Sequence, residues 1–150
     1  MTIDEWRQMT KKDGALQIHV DRSTCHVLER ALGFYKNPNH DISTSTNVTF
    51  VNECGQDDGG LTREFFSEAI RGLNTHRIDG RSVIFDGKMG HKLPSFAGPL
   101  SDRHVMEAIG RMVSHAILQG VHGMVGLSPA VQHVLIYPDL DTKPPILDVD

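Results

Sequence analysis

Thiols are scarce: Cys25 and Cys54 are the only two in 150 residues, and they sit in unlike surroundings. The chain therefore has no disulfide framework and no CxxC metal or redox motif, and both thiols are expected reduced. Basic clusters are missing too. No run of Lys and Arg exceeds Lys11-Lys12, and 15 basic against 19 acidic residues leave a net charge of -4, so the basic footprint of a nucleic-acid binder is absent. Apolar runs fall far short of the ~18 residues that cross a bilayer, and the opening MTIDEWRQMTKK lacks the apolar centre of a signal peptide. These absences predict a cytoplasmic or nuclear chain with no membrane and no nucleic-acid partner.

Hydrophobic content of 39% and charged content of 23% are those of an ordinary folded domain. At this length ~68% of the extended surface is expected to be buried, so neither disulfide nor structural metal is required. Neither a repeat of roughly 20 to 50 residues nor a composition shift divides the chain.

Thr2-Ile3-Asp4-Glu5 fits a capping box, predicting a short helix to about Lys12. Leu16, Ile18 and Val20 alternate with polar residues as a half-buried strand does. Ser23 is expected to open a helix with Cys25, Val27, Leu28, Ala31 and Leu32 on its core stripe and Gly33 as its stop. Tyr35 to Asn47, with Pro38 and Ser43-Thr44-Ser45-Thr46, reads as a surface loop. Val48 to Val51 reads as a strand. A helix then carries Leu61, Phe65, Phe66, Ala69, Ile70 and Leu73 on one wide face. Ser82 to Phe85 and His91 to Phe96 are a candidate hairpin. The strongest helix runs from about Asp102 to Gln119, with Val105, Ile109, Met112, Ala116 and Ile117 on one side. Ser128-Pro129 caps a last helix that Pro138 ends.

Nine histidines invite a metal reading, but His104 and His115 lie ~16 Å apart along one helix. Only a tertiary meeting of His115, His122 and His133 could form a site, so surface or capping roles are expected. Cys54 sits between Glu53 and Gly55, near Asp57 and Asp58, where negative charge works against a nucleophilic thiolate. NECGQDDGG lacks the alternating ligand pattern of a calcium loop. Gly120, Gly123 and Gly126 match neither the Rossmann nor the P-loop spacing, and no GxSxG elbow is present.

Val48 to Phe66, VTFVNECGQDDGGLTREFF, resembles the signature near the start of HECT-type E3 ubiquitin ligase domains: a strand, an acidic loop ending Asp-x-Gly-Gly, an apolar residue, then x-Arg-Glu-aromatic-Phe. Phe50, Glu53, Gly55, Asp57, Gly59, Gly60, Leu61, Arg63, Glu64, Phe65 and Phe66 occupy matching places. Leu16 to Arg22 resembles the family's strand ending in Arg, and the helix from Ser23 the one after it. Gly110-Arg111-Met112 and Leu127-Ser128-Pro129 resemble two later family features, so the likeness covers about residues 14–137. Cys54, and the short divergent loop between Gly72 and Leu100, mark a diverged branch.

The resemblance implies an α+β, mostly helical fold with a few short strands, like the large subdomain of a HECT N-lobe. Residues 1–150 would be a partial N-lobe, without the E2-docking subdomain or the catalytic C-lobe. In the full protein such a ligase accepts ubiquitin from an E2 onto a C-lobe cysteine and passes it to a substrate lysine. E2 and ubiquitin are thus its implied partners, and this chain alone is expected to be inactive. No catalytic, cofactor-binding or metal residue is implied here. Glu53, Asp57, Gly59, Gly60, Arg63, Glu64, Phe65 and Phe66 are expected to be scaffold: turn, cap, pairing and core. The alternative is a stand-alone, non-catalytic HECT-like module that binds protein or self-associates.

Overall fold

The computed structural model describes residues 1–10, 12–78, 80, 82–95 and 103–138. Their order is α1 (Ile3–Thr10), β1 (Lys12–Val20), α2 (Val27–Tyr35), β2 (Thr44–Phe50), α3 (Gly60–Thr75), β3 (Phe85–Asp86), β4 (Leu93–Pro94), α4 (Arg103–Leu118) and α5 (Pro129–Ile136). This is a small α+β fold with five helices and short strands among the described residues. None of those helices is long and apolar enough to cross a membrane.

β1 and β2 pair in parallel, a geometry that a tight turn cannot close, and α2 supplies the crossover. Ile18 lies beside Val48 and Val20 beside Phe50; all four are buried, while Gln17, His19, Asn47 and Thr49 on the other face are exposed. Helices α2, α3 and α4 pack on one another, and α2 and α3 also contact the strands. The core between them is lined by Tyr35, Phe65, Phe66, Leu73 and Met112.

Side chains engage backbone groups on both outer edges of this two-stranded sheet. Arg30 Nε donates to the His19 carbonyl at 2.8 Å. On β2, the Val48 N–H donates to Asp57 Oδ2 at 2.7 Å, and His115 Nε2 donates to the Thr44 carbonyl at 2.8 Å. Groups that would otherwise template pairing with another strand thus have partners within the fold.

The capping box forms, with Glu5 N–H donating to Thr2 Oγ1 at 3.2 Å and Thr2 N to Glu5 Oε2 at 2.6 Å. Its helix stops at Thr10, because β1 begins at Lys12. The helix expected from Ser23 starts at Val27 instead. Asp21 accepts from both Ser23 N and Oγ, at 3.0 and 2.6 Å, holding residues 21–25 in a turn. Cys25 therefore sits half-buried in that turn rather than on a helical core stripe. Gly33 does not end the helix, which continues to Tyr35 because Phe34 and Tyr35 are buried. The expected loop from Tyr35 to Asn47 is likewise corrected: Thr44 to Asn47 pair with β1, the β-branched threonines suiting an extended, half-buried strand. The hairpin reduces to Phe85–Asp86 against Leu93–Pro94, and Phe96 lies outside the described residues. Asp102, the expected start of the long helix, lies outside them as well. Val105, Ile109, Met112 and Ala116 are buried, and Ile117 is half-buried.

Candidate functional site

The chain's strongest polar constellation joins the end of β1 to the start of α3. Arg22 Nε donates to Glu53 Oε1 at 2.8 Å, and Nη2 donates to Glu53 Oε2, a two-pronged pair. Nη1 donates to Glu64 Oε1 at 2.6 Å and to Glu68 Oε2 at 3.1 Å. The guanidinium carbon also lies 3.9 Å from the centre of the Phe50 ring. Glu64 and Glu68 share one face of α3 through their four-residue spacing. Pairing with Glu53 and then Glu64 raises the Arg22 pKa, and the Arg22 guanidinium holds Glu53 below the usual carboxylate value. Four of the five guanidinium N–H donors go to three carboxylates, which makes the group a clamp.

Asp57 is the second anchor. Oδ1 accepts from Gly59 N–H at 2.9 Å and Thr62 N–H at 3.2 Å, while Oδ2 accepts from Thr62 Oγ1 at 2.6 Å and Val48 N–H at 2.7 Å. Burial raises its pKa, but the Thr62, Val48 and Gly59 hydrogen bonds together outweigh that and leave it lowered. Asp57 thereby caps free N–H groups of α3 and fixes the helix to the edge of β2. The N-cap Gly59 adopts φ 96°, a left-handed conformation that an L side chain would strain. Gly60 opens the helix, Arg63 is exposed and its N–H donates to the Gly59 carbonyl at 3.1 Å, and Phe65 and Phe66 are fully buried. The structure thus gathers Glu53 and Glu64 around Arg22 and puts Asp57, Gly59 and Gly60 at the helix entrance, while Arg63 belongs to neither group.

A polar cleft of about 330 Å³ opens beside this entrance, lined by Thr46, Asp58, Gly59, Thr62, Arg63 and Val121 among others. Among the described residues no histidine, cysteine or lysine lines it. Cys54 is exposed in the preceding loop, and Cys25 Sγ lies 4.0 Å from the Asp21 carbonyl.

His115 departs from its expected surface or capping role: it is 0% exposed, packed against Phe66 and Tyr35. Because Nε2 donates to a carbonyl, Nδ1 must accept, and the Tyr35 hydroxyl donates to it at 2.8 Å. Burial lowers the His115 pKa, against the opposing pull of the Thr44 carbonyl, and burial also raises that of Tyr35. The pair is neutral at pH 7, and both ring nitrogens are occupied. His115 therefore cannot ligate an ion with His122 and His133, and no metal-holding group of three or more His, Cys, Asp or Glu exists among the described residues. Its sequence signal was its place three residues after Met112 and one before Ala116, on the buried face of α4. No protein-family model matches this chain, and no curated protein matches it.

Proposed function

We propose that this chain is the scaffold portion of a HECT-type E3 ubiquitin ligase, part of the N-lobe that in the full protein positions a ubiquitin-charged E2 and the catalytic lobe. The observation that carries the reading is the clamp at the start of α3. Residues that resemble the family signature act together as structure: Glu53 and Glu64 hold Arg22, Asp57 caps the helix, and Phe65 and Phe66 fill the core. Ligase chemistry passes ubiquitin from an E2 thioester to a cysteine thiolate and on to a lysine amine. Cys25 is half-buried in a turn and Cys54 is exposed in an acidic loop, where negative charge disfavours a thiolate, and the chain alone is expected to form no thioester.

The test is to incubate native protein, immunoprecipitated with an antibody to this chain, with E1, a panel of E2 enzymes and ubiquitin. The native protein should form a ubiquitin adduct that reductant removes, and the 150-residue chain should form none. An adduct on the 150-residue chain, or none on the native protein, overturns the reading.

The second reading, a non-catalytic module that binds protein or self-associates, draws support from α5. Val134, Leu135 and Ile136 on it are 54%, 66% and 65% exposed, an apolar surface that is costly to leave in water. Saturable shifts on titration with labelled ubiquitin, or a stable oligomer by light scattering, favour this reading.

A further inference from the structure

The N-terminus of α2 and the C-terminus of α3 meet through two histidines. His26 is the N-cap of α2: its Nδ1 accepts the Leu28 N–H at 3.1 Å, and its carbonyl accepts the Arg30 N–H at 3.2 Å. His76 is the C-cap of α3, and its Nε2 lies 3.0 Å from Glu29 Oε1 on α2. The two rings stack with centroids 3.9 Å apart and planes within 10°. Gly72 makes room for the stack, since a β-carbon there would stand 2.9 Å from His26 Cε1.

Histidine is an unusual N-cap, because Asp, Asn, Ser and Thr accept the same hydrogen bond at any physiological pH. An imidazole accepts through Nδ1 only while that nitrogen is unprotonated. We propose that the His26–His76 stack is a pH-sensitive latch between α2 and α3, released when a proton binds His26 Nδ1 and the Leu28 N–H loses its acceptor. The added charge also lies at the positive end of the α2 dipole and against the His76 ring, both unfavourable places for a cation.

The charged groups facing His26 divide. On α3, His76 and Arg71 oppose its protonation and Glu68 favours it, as does Glu29 on α2. Glu68 is already engaged by Arg22 at 3.1 Å. Burial is the largest influence, and the balance lowers the His26 pKa below the ordinary 6.5. A lowered histidine value means that the unfolded chain binds the proton more readily. The latch therefore holds fully above pH 6.5 and opens as pH falls through the lower folded value.

The test follows amide hydrogen exchange at about pH 7.5 and about pH 5, corrected for intrinsic rates, in the wild-type chain and in His26→Asn, whose amide oxygen caps without titrating. In the wild type, Leu28 protection should fall at least about fivefold relative to Ile18 at the lower pH, and in His26→Asn it should not change. An unchanged Leu28 in the wild type, or the same fall in His26→Asn, overturns the proposal; the latter would assign the effect to another group, such as His115. Imidazole ¹⁵N shifts of the wild type give a reading that needs no variant. His26 Nδ1 should be unprotonated at about pH 7.5 and gain its proton together with a shift of the Leu28 amide; a protonated Nδ1 at that pH overturns the latch.

Discussion

At the residue scale, Asp57 joins two elements through one carboxylate: Oδ2 finishes the edge of β2 at Val48, and both oxygens hold Thr62 in the first turn of α3. Asp57→Asn keeps the shape but replaces one accepting oxygen with a donor, so either the Val48 N–H or part of the Thr62 cap loses its partner. Urea denaturation should show a loss of about 1 to 3 kcal/mol. The exposed neighbour Asp58 is the control, where Asp58→Asn should stay within about 0.5 kcal/mol. Equal effects at both positions would reject the capping role. Half of the Asp57 role was legible in the sequence, because an acid just before Gly59-Gly60 and an apolar-periodic run is a helix-start signal. The bond to Val48 was not, since nothing local says that the outer edge of β2 passes the loop. Arg22 was legible only as a resemblance; its three partners come from residues 53, 64 and 68, gathered by tertiary folding.

At the scale of elements, two glycines in helices predict opposite signs. Gly72 on α3 faces α2, where a β-carbon would meet His26 Cε1 at 2.9 Å and Leu28 Cβ at 3.0 Å. Gly33 in the interior of α2 has nothing within 4 Å. Gly33→Ala should therefore stabilise by about 0.5 to 1 kcal/mol, from helix propensity alone. In Gly72→Ala the same gain is opposed by overpacking of about 1 to 3 kcal/mol, so its thermal midpoint should fall. A rise at Gly72 would mean that the two helices separate more easily than their spacing suggests. The long helices were legible because α3 and α4 carry unbroken apolar stripes. The start of α2 was not, because Ser23 is a plausible cap locally, yet Asp21 binds both its amide and its hydroxyl. The first half of β2 was hidden by its composition: Thr44-Ser45-Thr46 has turn-forming chemistry and becomes a strand only beside β1.

At the scale of the molecule, every carboxyl and histidine with a displaced pKa among the described residues moves the same way. Asp21, Glu53 and Asp57 are lowered by their hydrogen bonds, from Ser23, from Arg22, and from Thr62, Val48 and Gly59 in turn, whereas burial lowers His26 and His115. A group lowered in the folded state leaves the unfolded chain holding more protons, so stability rises with pH wherever such a group titrates. The histidine contribution is complete above pH 6.5 and declines below it; the carboxylate contribution is complete above 3.8 to 4.5 and declines below that. Glu53 is solvent-exposed and Asp21 lies in a surface turn, where solvent screens both, which leaves Asp57 to dominate the acid step. Unfolding free energies measured by urea across a pH series should thus be level from about pH 7 to about pH 9, fall once below that range, and fall again in acid. His26→Asn should diminish the first fall while leaving the second, and Asp57→Asn should do the reverse. A profile that stayed level from neutrality down to about pH 5 would mean that neither imidazole keeps its proton off in the folded chain at that pH, and the lowering of the His115 pKa by burial in the core would be rejected.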